Sequence, residues 1–302
     1  MNVPRSFIVT VTTLWGIEGE RWLKSLDDRI DRLKKYWDIT TVQVVDRLTY
    51  NLVAYVDSSI YGPAVLKLSV KPEELQHEWA ALEYFGGTGA VKVIAYEKQE
   101  GALLLERCQP GTPLTHLFPD RDEQATDIAL EIIEKLASKS ANAKSEHGND
   151  AMLFLTMNQW FSPLLNQNQK EIPSEYLLQA RFFLEEILEM NLPVRLAHGD
   201  LHHGNILQSE QGWVSIDPKG VYGTLGFDVG CLLRNPLDEL VTHSNMSSLI
   251  GRRLDQCAYR LSIDRSFLVK LGYVQAVLAA SWALSDRQPQ WKDFLICARH
   301  IV

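Results

Sequence analysis

Residues Leu196–Gly220 read LAHGDLHHGNILQSEQGWVSIDPKG, and the fold of the whole chain is read outward from them. An apolar approach ends in His198-Gly199-Asp200, followed by Leu201-His202-His203-Gly204-Asn205. The pattern then predicts a short strand at Ile206-Leu207, a turn at Gln211-Gly212, a second strand over Trp213–Ile216, and Asp217-Pro218-Lys219. Two loops therefore hang from neighbouring short strands, and together they present three oxygen-bearing side chains: Asp200, Asn205 and Asp217.

That set has a chemistry. Asp-x4-Asn followed by a second Asp beyond a hairpin is the spacing used for phosphoryl transfer of the kinase type. Mg²⁺ prefers hard oxygen ligands and usually takes one or two protein carboxylates, with phosphate oxygens supplying others. Asp217 offers a carboxylate and Asn205 an amide oxygen. Asp200 is placed to accept the hydrogen bond of an incoming hydroxyl; a carboxylate is too weak a base to deprotonate an alcohol outright, so its task is to orient the nucleophile and collect the proton late. His198, His202 and His203 also raise a metal-hydrolase reading. It fails on pattern: Gly199 and Gly204 oppose a helix, and no Glu follows His198 as HExxH requires. His198 and His202 are expected to scaffold the loop through ring hydrogen bonds.

Upstream the chain is rich in strands. Trp22, Leu23, Leu26, Ile30, Leu33 and Trp37 recur at helical spacing and predict an amphipathic helix over Glu18–Trp37. Strands are expected at Val42–Arg47, Leu52–Asp57 and Ala64–Val70. Pro72-Glu73-Glu74 then opens a helix that runs to Phe85 and stops at Gly86-Gly87. Two more strands, Val91–Tyr96 and Ala102–Glu106, complete the region. Beyond the turn Gln109-Pro110-Gly111 the chain is mainly helical, with helices at Gln124–Ser138 and Ser174–Met190 and again from Asp228 onward. The expected class is α+β, a small β-rich lobe (residues 1–107) followed by a larger helical lobe (residues 108–302).

Composition narrows the function. The 302 residues exceed one typical domain, and 46% apolar with 23% charged residues is an ordinary globular balance. A net charge of −8 disfavours nucleic acid and anionic membranes as partners. Residues 1–107 carry 13 basic and 15 acidic side chains, and residues 108–302 carry 17 and 23, so the second half suits a cationic ligand better. Asp238, Glu239, Asp255, Asp264 and Asp286 are too many to rank as its contacts. Four scattered cysteines argue against a disulfide framework. The longest apolar run, Val274–Leu284, contains Gln275 and Ser281 and falls short of the roughly 18 residues needed to span a bilayer. Arg5 and Phe7–Trp15 lack a small-x-small cleavage site and do not read as a signal peptide. A cytoplasmic protein is expected.

HGDLHHGN with IDPKG resembles the aminoglycoside phosphotransferase-type small-molecule kinases, and within them the streptomycin kinase and hydroxyurea phosphotransferase group. DPKG and Leu232-Leu233-Arg234-Asn235-Pro236 are the specific segments, and the resemblance spans roughly Gly16 to Pro236. It implies a bilobal protein-kinase-like fold, ATP as phosphate donor and Mg²⁺. It also implies roles: Asp200 catalytic, and Asn205 and Asp217 as metal ligands. Lys67 would contact the α- and β-phosphates, with Glu78 as its ion-pair partner and Glu74 as the alternative. Main-chain groups at Glu106-Arg107-Cys108 would hold adenine, and Asp228 would brace the catalytic loop. Lys67 is unusual even without the resemblance, because alternation sends it to the opposite face from Leu66 and Leu68.

One departure stands out. The loop Asp46–Leu52, where a phosphate-covering GxGxxG would lie, contains no glycine, which leaves Thr49, Asn51 or backbone amides. This keeps a second class open, a nucleotide-binding pseudokinase acting as an adaptor. The acceptor is open as well: a streptomycin-like aminoglycoside, or choline, an amino acid alcohol or a sugar. The Asn- and Gln-rich stretch Leu155–Glu171 reads as a solvated linker.

Overall fold

The computed structural model describes residues 3–46, 48–141, 154–165 and 171–302. Backbone contacts divide the chain into two compact units, residues 1–87 with 91–109, and residues 88–90 with 110–302.

The first unit is one sheet between helices. Helix α1 spans Arg5–Tyr36 with a kink at Gly16, so helix also covers the threonine-rich stretch before Glu18 that periodicity alone did not assign. There the Thr10 and Thr12 hydroxyls donate to the carbonyls of Ser6 and Ile8 one turn back, and Phe7 and Val11 anchor the stretch in the core. Strands β1 (Ile39–Val44), β2 (Asn51–Ser58), β3 (Gly62–Ser69), β4 (Val93–Glu97) and β5 (Ala102–Glu106) form an antiparallel sheet in the order β1-β2-β3-β5-β4. Strand β1 begins three residues before the expected Val42. The β-branched run Ile39-Thr40-Thr41 already pairs with the end of β2, and the Thr41 hydroxyl donates to Asp57.

Alternation gives the sheet two faces. Leu52, Ala54, Val56, Ala64, Leu66, Leu68, Ala102 and Leu104 pack against Phe7, Trp22, Leu26, Ile30 and Leu33 of α1 in one buried core. Lys67 falls on the other face, in register with Val53 and Leu103. Helix α2 (Pro72–Phe85) follows, with proline in its first turn, Glu73 and Glu74 beside it, and Gly86 in the left-handed conformation at its end.

In the second unit, α3 (Asp122–Ala141), β6 (Leu155–Thr156), α4 (Met157–Leu165), α5 (Ser174–Glu189) and β7 (Arg195–Ala197) precede the insert. The insert holds the hairpin β8 (Ile206–Ser209) and β9 (Gly212–Ser215), then β10 (Val221–Gly223), which lies between β6 and β7. Helices α6 (Val229–Leu233), α7 (Leu237–Val241), α8 (Met246–Leu261), α9 (Arg265–Ser285) and α10 (Trp291–Ile301) complete it. Residues 88–90 belong here because Ser215 donates from both its backbone N–H and its hydroxyl to the Gly89 carbonyl. The stretch expected to be a linker instead carries β6 and α4. Gln159 accepts from the Thr156 N–H and hydroxyl at their junction, while Asn166, Gln167, Asn168 and Gln169 lie outside the described residues.

Helix α9 corrects the hydropathy reading. It is 21 residues long, and an 18-residue window reaches mean hydropathy 1.5, enough by length and composition to cross a membrane. That window is 78% buried inside the protein, as befits a core helix.

Candidate active site

The first unit holds an ion pair. Lys67 Nζ lies 2.6 Å from Glu78 Oε2, and both side chains are under a tenth exposed. The pairing follows from two periodicities: the strand sends Lys67 away from α1, and α2 turns Glu78 inward, whereas Glu74, one turn earlier, is exposed. Glu106 ends β5, where its carboxylate accepts from the Lys92 N–H and its own N–H donates to the Lys92 carbonyl. The Arg107 guanidinium lies 4.1 Å above the Tyr55 ring. The Cys108 thiol is half-buried and pushed up to about 11 by burial, so it stays protonated.

In the second unit the insert is held by a ring of side-chain-to-backbone hydrogen bonds. The His198 ring is fully buried and uses both nitrogens. Nε2 faces the Ile216 carbonyl at 2.9 Å, which can only accept, so that nitrogen carries the proton; Nδ1 accepts from the Asp200 N–H at 3.3 Å. This fixes a neutral tautomer. Burial in turn holds the imidazole down to about 4, outweighing the carboxylates of Asp200 and Asp217, which favour its charged form. Asn205 Nδ2 donates to the Asp200 carbonyl, and the Ile216 N–H donates to the Asn205 carbonyl. Lys219 and Gly220 both donate their N–H groups to the His198 carbonyl. Asp200, Asn205 and Asp217 are thus brought together around one histidine.

Asp228 closes the ring from below. Its carboxylate accepts from the His198 N–H at 2.9 Å and the Gly199 N–H at 2.8 Å. These bonds favour ionisation, yet burial dominates and pushes the group up to about 6. His202 takes the Gly204 N–H on Nδ1, a scaffolding role like that of His198. Asp217 sits at φ 61, and its Oδ1 lies 3.1 Å from Lys219 Nζ.

Three features were not legible in the sequence. His203 is buried against Arg253, a fully buried guanidinium that also pairs with Asp122 and donates to the Leu232 and Asn235 carbonyls. Arg234 is buried with no carboxylate partner among the described residues. Cys231 lies between it and Asp200. Of the five acidic candidates for a cation, Asp255 pairs with Arg265 and Asp264 caps α9, while Asp238 and Glu239 are exposed in the first turn of α7. Thr49 and Tyr50 form a bend in the glycine-free loop, and Arg47 lies outside the described residues.

Known proteins give the arrangement its context. Over 95% of this chain and 92% of the relative, it is 23% identical to the streptomycin 6-kinase of Streptomyces glaucescens. It is 30% identical to the streptomycin 3''-kinase of Klebsiella pneumoniae, over 74% of this chain and 81% of that one. Among solved structures, an amicoumacin kinase in complex with AMP-PNP and Ca²⁺ superposes with a TM-score of 0.61, covering 92% of this chain and 94% of the other at 16% identity. The fold is the protein-kinase-like one. Residues 37–287 match the family of aminoglycoside/hydroxyurea antibiotic resistance kinases. The chain belongs to that family and is a phosphotransferase that acts on hydroxyl groups of small molecules.

Proposed function

We propose that the chain transfers the γ-phosphoryl group of ATP to a hydroxyl of a cationic, streptomycin-like acceptor, with Asp200 orienting that hydroxyl. The observation that carries this reading is the His198-centred ring that gathers Asp200, Asn205 and Asp217. Asp200 is about one-third exposed at its side chain, enough to meet an acceptor, while its backbone is fixed on both sides. The acceptor's oxygen attacks phosphorus as the bond to the bridging oxygen breaks, and its proton passes to the Asp200 carboxylate late in the step.

The donor set suits Mg²⁺. Asn205 Nδ2 is committed to the Asp200 carbonyl, which turns the amide oxygen the other way, and Asp217 adds a carboxylate. These two would hold the ion, which supplies charge neutralisation on the phosphate oxygens. Lys67, fixed by Glu78, is assigned to the α- and β-phosphates. The main-chain groups of Glu106, Arg107 and Cys108, where β5 ends, are assigned to the edge of adenine. The streptomycin kinases act on an aminoglycoside, and the acidic charge of residues 108–302 favours a cation of that kind here. Cysteines that all remain thiols fit a cytoplasmic setting.

The test is a phosphate-transfer screen with MgATP over streptomycin, hydroxyurea, choline, amino acid alcohols and sugars, repeated with Asp200→Ala. Transfer to streptomycin, reduced at least about a hundredfold by Asp200→Ala with nucleotide binding kept, is expected. Transfer only to a primary metabolite moves the substrate class. Nucleotide binding without transfer to any acceptor favours the adaptor reading, which the glycine-free loop at residues 46–52 supports.

A further inference from the structure

Two arginines are buried in the second unit, and they differ in what surrounds them. Arg253 is saturated: Nε and one terminal nitrogen engage Asp122, the other donates to two carbonyls, and His203 lies at 3.5 Å. Its charge is compensated within the fold. Arg234, 6% exposed, has only neutral partners. One terminal nitrogen donates to Gln275 Oε1 at 3.2 Å and the other to Cys231 Sγ at 3.1 Å. Gln275 cannot swing away, because its Nε2 donates to the Phe227 carbonyl at 2.6 Å. No carboxylate lies within ion-pair distance of Arg234 among the described residues. A buried cation with no directly paired carboxylate is costly, and this one stands beside the reaction centre: Cys231 Sγ, which it contacts, is also 3.9 Å from Asp200 Oδ1.

The anion that must stand beside Asp200 during turnover is the phosphoryl group. We propose that Arg234 is a catalytic contact whose guanidinium hydrogen-bonds the oxygens of that group as it passes to the acceptor; the proposal rests on the reading of Asp200 given above. The new bond joins the acceptor oxygen to phosphorus, the bond to the ADP oxygen breaks, the hydroxyl proton goes to Asp200, and Arg234 stays protonated throughout. Beyond the N–H groups given to Gln275 and Cys231, each terminal nitrogen carries a second N–H that can meet a phosphoryl oxygen. Charge spreads over those oxygens in transit, so the contact is stronger in the transition state than with either substrate.

The test uses the full chain carrying Arg234→Gln or Arg234→Lys, with MgATP and streptomycin. Loss of a preorganised donor predicts a fall in kcat of about a hundredfold in the glutamine variant, KM for both substrates within about twofold, and partial recovery in the lysine variant. A thermal-shift measurement with ADP, Mg²⁺ and aluminium fluoride, a planar mimic of the group in transit, gives a readout that a purely structural role leaves alone. Wild type is stabilised beyond ADP alone, and Arg234→Gln loses that increment while keeping the ADP shift. A folded Arg234→Gln protein with wild-type kcat, a rise in KM alone, or an undiminished fluoride increment overturns the proposal. If the glutamine variant does not fold, the lysine variant decides by the same two measurements. Asp200→Asn with wild-type turnover would defeat the reading of Asp200 instead, and the fluoride increment would then judge Arg234 alone.

Discussion

The sheet of the first unit and the insert of the second solve the same problem, placing charged groups accurately, by different means. In the sheet, strand register does the work: Val53, Lys67 and Leu103 stand opposite one another because every neighbour on β2, β3 and β5 is paired. In the insert the strands are three or four residues long, too short to fix anything, and position comes from side chains bonding backbone: His198 to Ile216 and Asp200, Asp228 to His198 and Gly199. Regular structure places a residue by its neighbours in sequence. An irregular loop needs anchors from far along the chain, and these are buried polar groups.

The largest expected effect tests the sheet. Lys67→Met removes the ammonium that the buried Glu78 carboxylate faces, and breaking such a pair from one side costs about 3–5 kcal/mol. The double variant Lys67→Met with Glu78→Leu should recover most of it, since an apolar pair of similar volume suits that interior. Urea unfolding of the three proteins measures this. No loss in either variant would mean that the pair is structurally idle and that register alone holds the site.

The insert is tested by pH. Burial holds His198 down to about 4 from an ordinary 6.5 and pushes Asp228 up to about 6 from an ordinary 3.8. Stability rises with pH wherever the unfolded chain binds more protons. For His198 that window runs from about 4 to 6.5. Asp228 does the reverse: between about 3.8 and 6 the folded state keeps a proton that the unfolded chain has lost, so its contribution falls as pH rises. Each window corresponds to about 3 kcal/mol by linkage, and in wild type the two largely offset. His203, also held low by burial, adds to the rising side. Asp228→Asn should therefore be most destabilised relative to wild type near pH 4, and His198→Asn above pH 6.5. Denaturant midpoints from pH 4 to 7 measure both; three parallel curves would show that the anchors do not sense burial as stated.

What the sequence made legible follows the same division. Alternation around Lys67, the proline and paired glutamates opening α2 and the glycines closing it are local signals, and each predicted its feature to within a few residues; the Asp-x4-Asn spacing is local too. The Asp122–Arg253 pair joins positions 131 apart in sequence, and Arg234 is distinguished by what is missing around it. Neither leaves a periodic trace. The threonine-rich start of α1 was hidden for another reason: its residue types favour strands, and burial of Phe7 and Val11 in the core overrides that preference.

Two glycines bring the comparison to its smallest scale. Gly199 sits in the insert at φ 89, where an added Cβ would meet Val221 Cγ2 at 2.9 Å and Lys219 Cβ at 3.1 Å. Gly199→Ala adds strain and overlap in a loop whose N–H is held by Asp228, so about 2 kcal/mol of stability is expected to be lost, together with turnover. Gly86 ends α2 at φ 54 and ψ 38, and its N–H donates to the Leu82 carbonyl as a helix cap. Gly86→Ala carries only the left-handed penalty of about 1 kcal/mol, because alanine keeps the same N–H. Its kcat should match wild type, since regular strands re-establish Lys67 and Glu78 whatever residue closes the helix. Urea midpoints and steady-state rates on both variants decide the matter. A Gly86→Ala protein that loses turnover as Gly199→Ala does would mean that the sheet, too, depends on its turns to position charge, and that register is not sufficient.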